Sequence, residues 1–112
     1  MVRWAFAAAA GGFFVWRWLH FRAARARAAA LIAAGAPVVD VRSPEEFAAG
    51  CRPGSLNIPL GRLAAECGRL DKDKPVVVCC ASGSRSAAAA GILKAKGFRL
   101  VVNAGPWTNT LP

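Results

Sequence analysis

Val76-Val77-Val78-Cys79-Cys80-Ala81-Ser82-Gly83-Ser84-Arg85-Ser86 passes from an unbroken apolar run, through a loop of small residues, into an alanine-rich segment closed by Gly97. A continuous apolar run bounded by turn signals predicts a strand covered on both faces. Ser86 to Lys96 predicts a helix, with Gly97 placed to end it. A buried strand, a short loop and a helix form the repeating unit of open α/β sheets, which place ligands beyond the carboxyl ends of their strands. One stretch therefore carries both the fold class and the candidate site.

The flanking sequence repeats the alternation. Val38-Val39-Asp40-Val41-Arg42 is a β-branched run that starts just after Pro37 and predicts a strand. Ser43-Pro44-Glu45-Glu46 predicts a helix start, with Ser as N-cap, Pro at the first helical position and Glu completing a capping box. Gly50 and Pro53-Gly54 keep that helix short. Leu56-Asn57-Ile58-Pro59 predicts a short strand. Leu60, Leu63, Ala64, Cys67 and Leu70 recur on one helical face. Asp71-Lys72-Asp73-Lys74-Pro75 is a solvated turn, and Leu100-Val101-Val102 supplies the last strand. Upstream, Ala28–Ala34 predicts a helix ending at Gly35. The expected fold is a mainly parallel sheet flanked by helices.

The loop after Cys80 is suited to an anion. A thiol there faces the amino end of a helix, whose dipole and free N–H groups favour negative charge. Ala81, Ser82, Gly83 and Ser84 are small enough for their amides to converge on one sulfur, and Arg85 adds a fixed positive charge. These features favour the thiolate, the form that attacks electrophiles. The chain has a single His, far from the loop, which excludes a Cys–His protease and a multi-histidine zinc site. No C-x-x-C occurs among the four cysteines, so neither a zinc ribbon nor a thioredoxin-like pair has its spacing. No metal or cofactor is implied. Cys67 lies on an apolar helix face and Cys79 within a buried strand; Cys51, in a loop, is the thiol placed for a secondary role.

Val38 to Phe47, Pro53-Gly54-Ser55-Leu56-Asn57-Ile58-Pro59 and Cys80-Ala81-Ser82-Gly83-Ser84-Arg85-Ser86 together resemble the three signatures of a single-domain rhodanese, in order and in spacing. The resemblance runs from about Ala28 to Pro112. It implies a sulfurtransferase in which Cys80 is the nucleophile, carrying sulfane sulfur from thiosulfate or a persulfide donor to a thiol or cyanide. The family's active loop falls on Ala81, Ser82, Gly83, Ser84, Arg85 and Ser86, with Arg85 stabilising the loop and helping to place an anionic donor. The same resemblance makes Asp40 and Arg42 structural supports. Three positions depart from the family pattern: Cys51 stands where a His is usual, Cys79 precedes the nucleophile, and Pro106 replaces a common second Gly after Gly105.

Two rival readings use the same residues. Counted from Cys79, the loop reads C-x5-R followed by Ser86, the frame of a cysteine-dependent phosphatase. A phosphate needs a wider cradle and a general acid, and the nearest carboxylates, Asp71 and Asp73, lie in a lysine-flanked turn. The second rival is a membrane-tethered rhodanese-like binding module without turnover; loss of the cysteine usually marks such modules, and Cys80 is present.

The net charge of +9 is uneven: five arginines and no acid precede Leu31, leaving ten bases against six acids beyond it. Trp4 to Trp16 is uncharged. As a helix, Val2 to Phe21 reaches about 30 Å, the thickness of a hydrocarbon core, with Arg3 and Arg17 snorkelling to the headgroups. Arginines flanking an apolar run are membrane grammar rather than a nucleic-acid surface. The expectation is therefore an N-terminal helix over residues 1–27 that anchors the chain in lipid, followed by a domain over residues 28–112. The heavier positive flank turns that domain toward the cytoplasm; cleavage as a signal peptide and export is the alternative.

Overall fold

The computed structural model describes residues 2–112; of the side chains, those of residues 1–10 and of Phe21 lie outside the described residues, the snorkelling Arg3 among them. Helix α1 runs from Val2 to Ala33. After it come β1 (Val38–Asp40), α2 (Pro44–Ala49), β2 (Leu56–Asn57), α3 (Leu60–Glu66), β3 (Val76–Cys80), α4 (Ser84–Ala95) and β4 (Val101–Pro106). Single 3-10 turns follow α3 and β4, over Cys67–Arg69 and Trp107–Thr110. The four strands form one sheet in the order β2-β1-β3-β4, and every pairing is parallel. The expected α/β class holds.

The sheet is covered on both faces, which is why β3 reads as an unbroken apolar run. One core gathers Val39, Val78 and Cys80 with Leu63, Ala89, Leu93 and Phe98, under α3 and α4. The other gathers Val38, Val77, Cys79, Val102 and Ala104 against Ala28, with Leu31 and Ile32 packed onto it from α1. Successive strand residues face opposite ways, so adjacent Cys79 and Cys80 belong to different cores.

Several boundaries differ from the sequence reading, each with a local cause. β1 stops at Asp40, two residues before Arg42, because the Asp40 carboxylate takes the Arg42 N–H at 3.0 Å and turns the chain. α4 begins at Ser84 rather than Ser86, since Gly83 (φ +105°) makes the turn first. β4 runs on to Pro106 across an irregularity that sets Cys79 against Gly105. No separate helix begins at Ala28, because nothing between Phe13 and Ala34 is Gly or Pro and α1 continues unbroken.

The expected span, Val2 to Phe21, falls in large part on side chains outside the described residues. Among the described residues no helix is long and apolar enough to cross a membrane. Arg17, Arg22, Arg25 and Arg27 interrupt the described part of the helix. The helix does two things along its length. Ala24, Ala28, Leu31 and Ile32 recur at helical spacing and lose solvent to the sheet, whereas Phe13, Phe14, Val15, Trp16, Trp18 and Leu19 are all at least half exposed.

Candidate active site

The Cys80 side chain leaves the carboxyl end of β3 on the α4 side and is enclosed by the loop that starts α4. Its Sγ accepts the Gly83 N–H at 2.9 Å and lies 3.3 Å from Ser86 Oγ. Gly83 is required by its backbone: its φ of +105° is open to glycine at little cost, while a Cβ there would meet the Gly105 Cα only in ordinary contact at 3.5 Å. Burial pushes the Cys80 thiol up, but the Ser86 hydroxyl and the backbone N–H groups of Ser86, Gly83 and Ser82 outweigh it, leaving the thiol below its ordinary value. Of the four small residues expected to cradle the sulfur, Gly83 and Ser82 turn their N–H groups to it, joined by Ser86.

Cys79 has the opposite surroundings. It packs between the sheet and α1, and burial pushes its thiol up to about 12. A thiol held protonated under a helix cannot serve as a nucleophile near neutrality. The C-x5-R frame counted from Cys79 thus lacks its reactive group.

Arg85 points across the site to α2. Its guanidinium grips Glu46 with both nitrogens, Nη1 to Oε1 at 2.6 Å and Nη2 to Oε2 at 2.9 Å. The Arg85 hydrogen bonds, together with the Ser43 N–H, hold the Glu46 carboxyl down at about 2. Glu46 also completes the capping box: Ser43 Oγ accepts its N–H at 3.2 Å and its Oε1 accepts the Ser43 N–H at 3.3 Å. The helix cap read from sequence is thus also the anchor of the active loop. The pairing of Glu46 with Arg85 left no mark in the sequence, because the two residues lie on different elements 39 positions apart.

Asp40 and Arg42 lie behind the loop and are buried. Arg42 Nη2 meets Asp40 Oδ2 at 2.8 Å while Nε lies 2.9 and 3.0 Å from the two carboxylate oxygens. The remaining donors go to the carbonyls of Gly50 (2.7 Å) and Glu46 (3.3 Å), which fixes the end of α2. The indole of Trp107 covers the guanidinium at 5.1 Å. Sequence reasoning passed over Trp107, although a lone Trp after the last strand was the available signal. Of the loop residues named from sequence, Cys80, Gly83 and Ser86 converge on the sulfur, Ser82 joins through its N–H, and Ala81 and Ser84 form the exposed outer turn. Cys51 and Cys67 are free, half-buried thiols.

The model of the rhodanese-like domain matches residues 24–109. Thiosulfate sulfurtransferase GlpE of Pseudomonas entomophila is 36% identical over 90 residues, covering 77% of this chain and 83% of that protein. A sulfurtransferase of Allochromatium vinosum is 36% identical over 66 residues, 59% of this chain and 62% of the relative. Other relatives are matched over less of their length, 40% and 54% for two from Bacillus subtilis. Among solved structures, the human single-domain sulfurtransferase TSTD1 superposes with a TM-score of 0.64 at 32% identity, over 73% of this chain and 87% of that one. The family match begins at Ala24, one turn before Ala28, the α1 residue buried against the sheet. Matched by the family model over residues 24–109 and by relatives and solved structures over much of its length, this protein belongs to the rhodanese-like domain family.

Proposed function

We propose that the chain moves sulfane sulfur from thiosulfate or a persulfide donor to a thiol or cyanide through a persulfide on Cys80. The observation that carries this reading is the Cys80 Sγ held 2.9 Å from the Gly83 N–H, among amides that favour its anion. The Cys80 thiolate attacks the outer sulfur of thiosulfate, a new S–S bond forms, and the old S–S bond breaks with its electron pair leaving on sulfite. The product, Cys80-S-S⁻, carries its charge on the terminal sulfur, where the loop amides continue to stabilise it. An attacking thiolate or cyanide then takes that sulfur and returns the Cys80 thiolate. No net oxidation occurs, and neither metal nor cofactor is called for.

Arg85 acts in this scheme mainly as the strut between α4 and α2. Its positive charge still faces the site, but both ends of its guanidinium are committed to Glu46. Asp40, Arg42 and Trp107 hold the platform under the loop.

We place the start of the catalytic module at residue 28, where Ala28 is the first fully buried side chain of α1 among the described residues. The exposed aromatics of the preceding turns, with Arg22 and Arg25 beyond them, suit a helix lying on an anionic lipid surface rather than crossing it.

Mass spectrometry after incubation with thiosulfate tests the chemistry. The wild-type chain and Cys79→Ser should gain one sulfur atom and Cys80→Ser none. Sulfur retained by Cys80→Ser but lost from Cys79→Ser would move the chemistry to Cys79, and a folded wild type that gains none would leave the binding-module reading.

A further inference from the structure

α1 runs against the direction of the strands. Leu31 and Ala34 border Lys74 and Pro75, at the start of β3, while Arg17 and His20 border Ser82, Gly83 and Ser84, past its end. At 1.5 Å per residue, the helix rises about 24 Å from Ala33 to Arg17, whereas five strand residues span about 17 Å. The helix therefore outruns the sheet and passes beside the active loop. Arg17, His20, Ala24, Ala28 and Leu31 follow one another at intervals of three or four, on one helical face. That face is apolar where it covers the sheet and changes to Arg and His at the height of the loop.

The result is a recess of about 440 Å³ between helix and loop, lined by Arg17, His20, Ser82, Gly83, Ser84 and Asn103, with no carboxylate on its walls. Gly83 is the residue whose N–H meets the Cys80 sulfur. The recess thus lies one residue from the reacting atom and is far larger than a single transferred sulfur needs. His20 is steadied by stacking on Trp16, with ring centroids 5.4 Å apart. Both Arg17 and His20 precede Ala24, outside the part of the chain matched by the rhodanese-like model.

We propose that Arg17 and His20 form the specificity wall of the acceptor subsite, binding the carboxylates of a low-mass anionic thiol whose sulfur reaches Cys80. This rests on the sulfurtransferase reading and adds to it the charge class of the acceptor. A carboxylate on this wall is drawn by a guanidinium that presents paired N–H donors, and an uncharged thiol gains nothing from it.

The test uses the full chain, charged with thiosulfate and discharged by glutathione, which carries two carboxylates, or by uncharged dithiothreitol. The quantity read is the ratio of the two kcat/KM values. Arg17→Gln should lower that ratio about five-fold, the effect of ~1 kcal/mol expected of a partly exposed ion pair. Arg17→Lys should restore part of it, and the loss should lie in KM rather than kcat. Arg17 is exposed, so an unchanged melting temperature will show that folding is not the cause. A persulfide that forms normally while the ratio stays the same in Arg17→Gln overturns this proposal alone. A wild-type chain that never acquires the persulfide overturns the transfer reading and this one with it.

Discussion

Ser86 has one hydroxyl proton and two acceptors within reach, the Gly83 carbonyl at 3.1 Å and the Cys80 sulfur at 3.3 Å. With the thiol protonated, Cys80 donates to Ser86 and the hydroxyl donates on to Gly83. With the thiolate or persulfide present, the hydroxyl turns to sulfur. The Gly83 carbonyl is not stranded by the exchange, because it keeps the Ala87 N–H at 3.0 Å. A hydrogen bond to a charged group contributes about 1.5–3 kcal/mol, equivalent to ~1–2 pH units. Ser86→Ala should therefore raise the midpoint of Cys80 alkylation against pH by about one unit or more, measured with iodoacetamide in the Cys79→Ser background. A midpoint that does not move would reduce Ser86 to a packing residue.

At the scale of elements, two ion pairs position the loop by different physics. Asp40 and Arg42 are buried together, and removing one partner leaves an uncompensated charge inside the protein. Arg42→Ala is expected to cost about 3–5 kcal/mol in chemical denaturation, partly because the carbonyls of Glu46 and Gly50 lose their donor as well. Glu46 and Arg85 are more than a third exposed, so their pair matters chiefly for geometry. The Glu46 carboxyl is lowered to about 2 from an ordinary ~4.3. Its contribution is complete above the ordinary value and is lost as acid is added between pH ~4.3 and about 2. Glu46→Gln should flatten the fall in melting temperature across that window; an identical acid profile would remove the pair from the stability of the loop.

The whole molecule is asymmetric because α1 leaves it at the carboxyl edge of the sheet. If the exposed turn from Phe13 to Leu19 lies on lipid, the face that carries the Cys80 loop turns toward the same surface. The expected result is co-sedimentation of the full chain with vesicles of phosphatidylglycerol and phosphatidylcholine. Binding should weaken in phosphatidylcholine alone and in high salt. Phe14→Glu with Trp18→Glu should lower binding without altering the melting temperature, since both side chains are exposed. Equal binding by that variant would assign the attraction to the arginines alone.

The alternation of strands and helices along the chain, the capping box at Ser43 and the glycine-bearing loop after Cys80 were legible in the sequence because each depends on residues within a few positions of one another. A run such as Val76 to Cys80 declares its burial on both faces through its own composition, and Ser43 with Glu46 declares a helix start through local spacing. The sequence could not show that Glu46 has a second partner in Arg85, that Trp107 covers Arg42, or that Cys79 and Cys80 turn to opposite cores with opposite effects on their thiols. Nor could it show that the N-terminal helix, read as a lipid span on its apolar length, would pack its last turns on the sheet and carry Arg17 to the loop. Those contacts join residues far apart in the chain, and only the parallel sheet, by setting which strand lies beside which, brings them within reach.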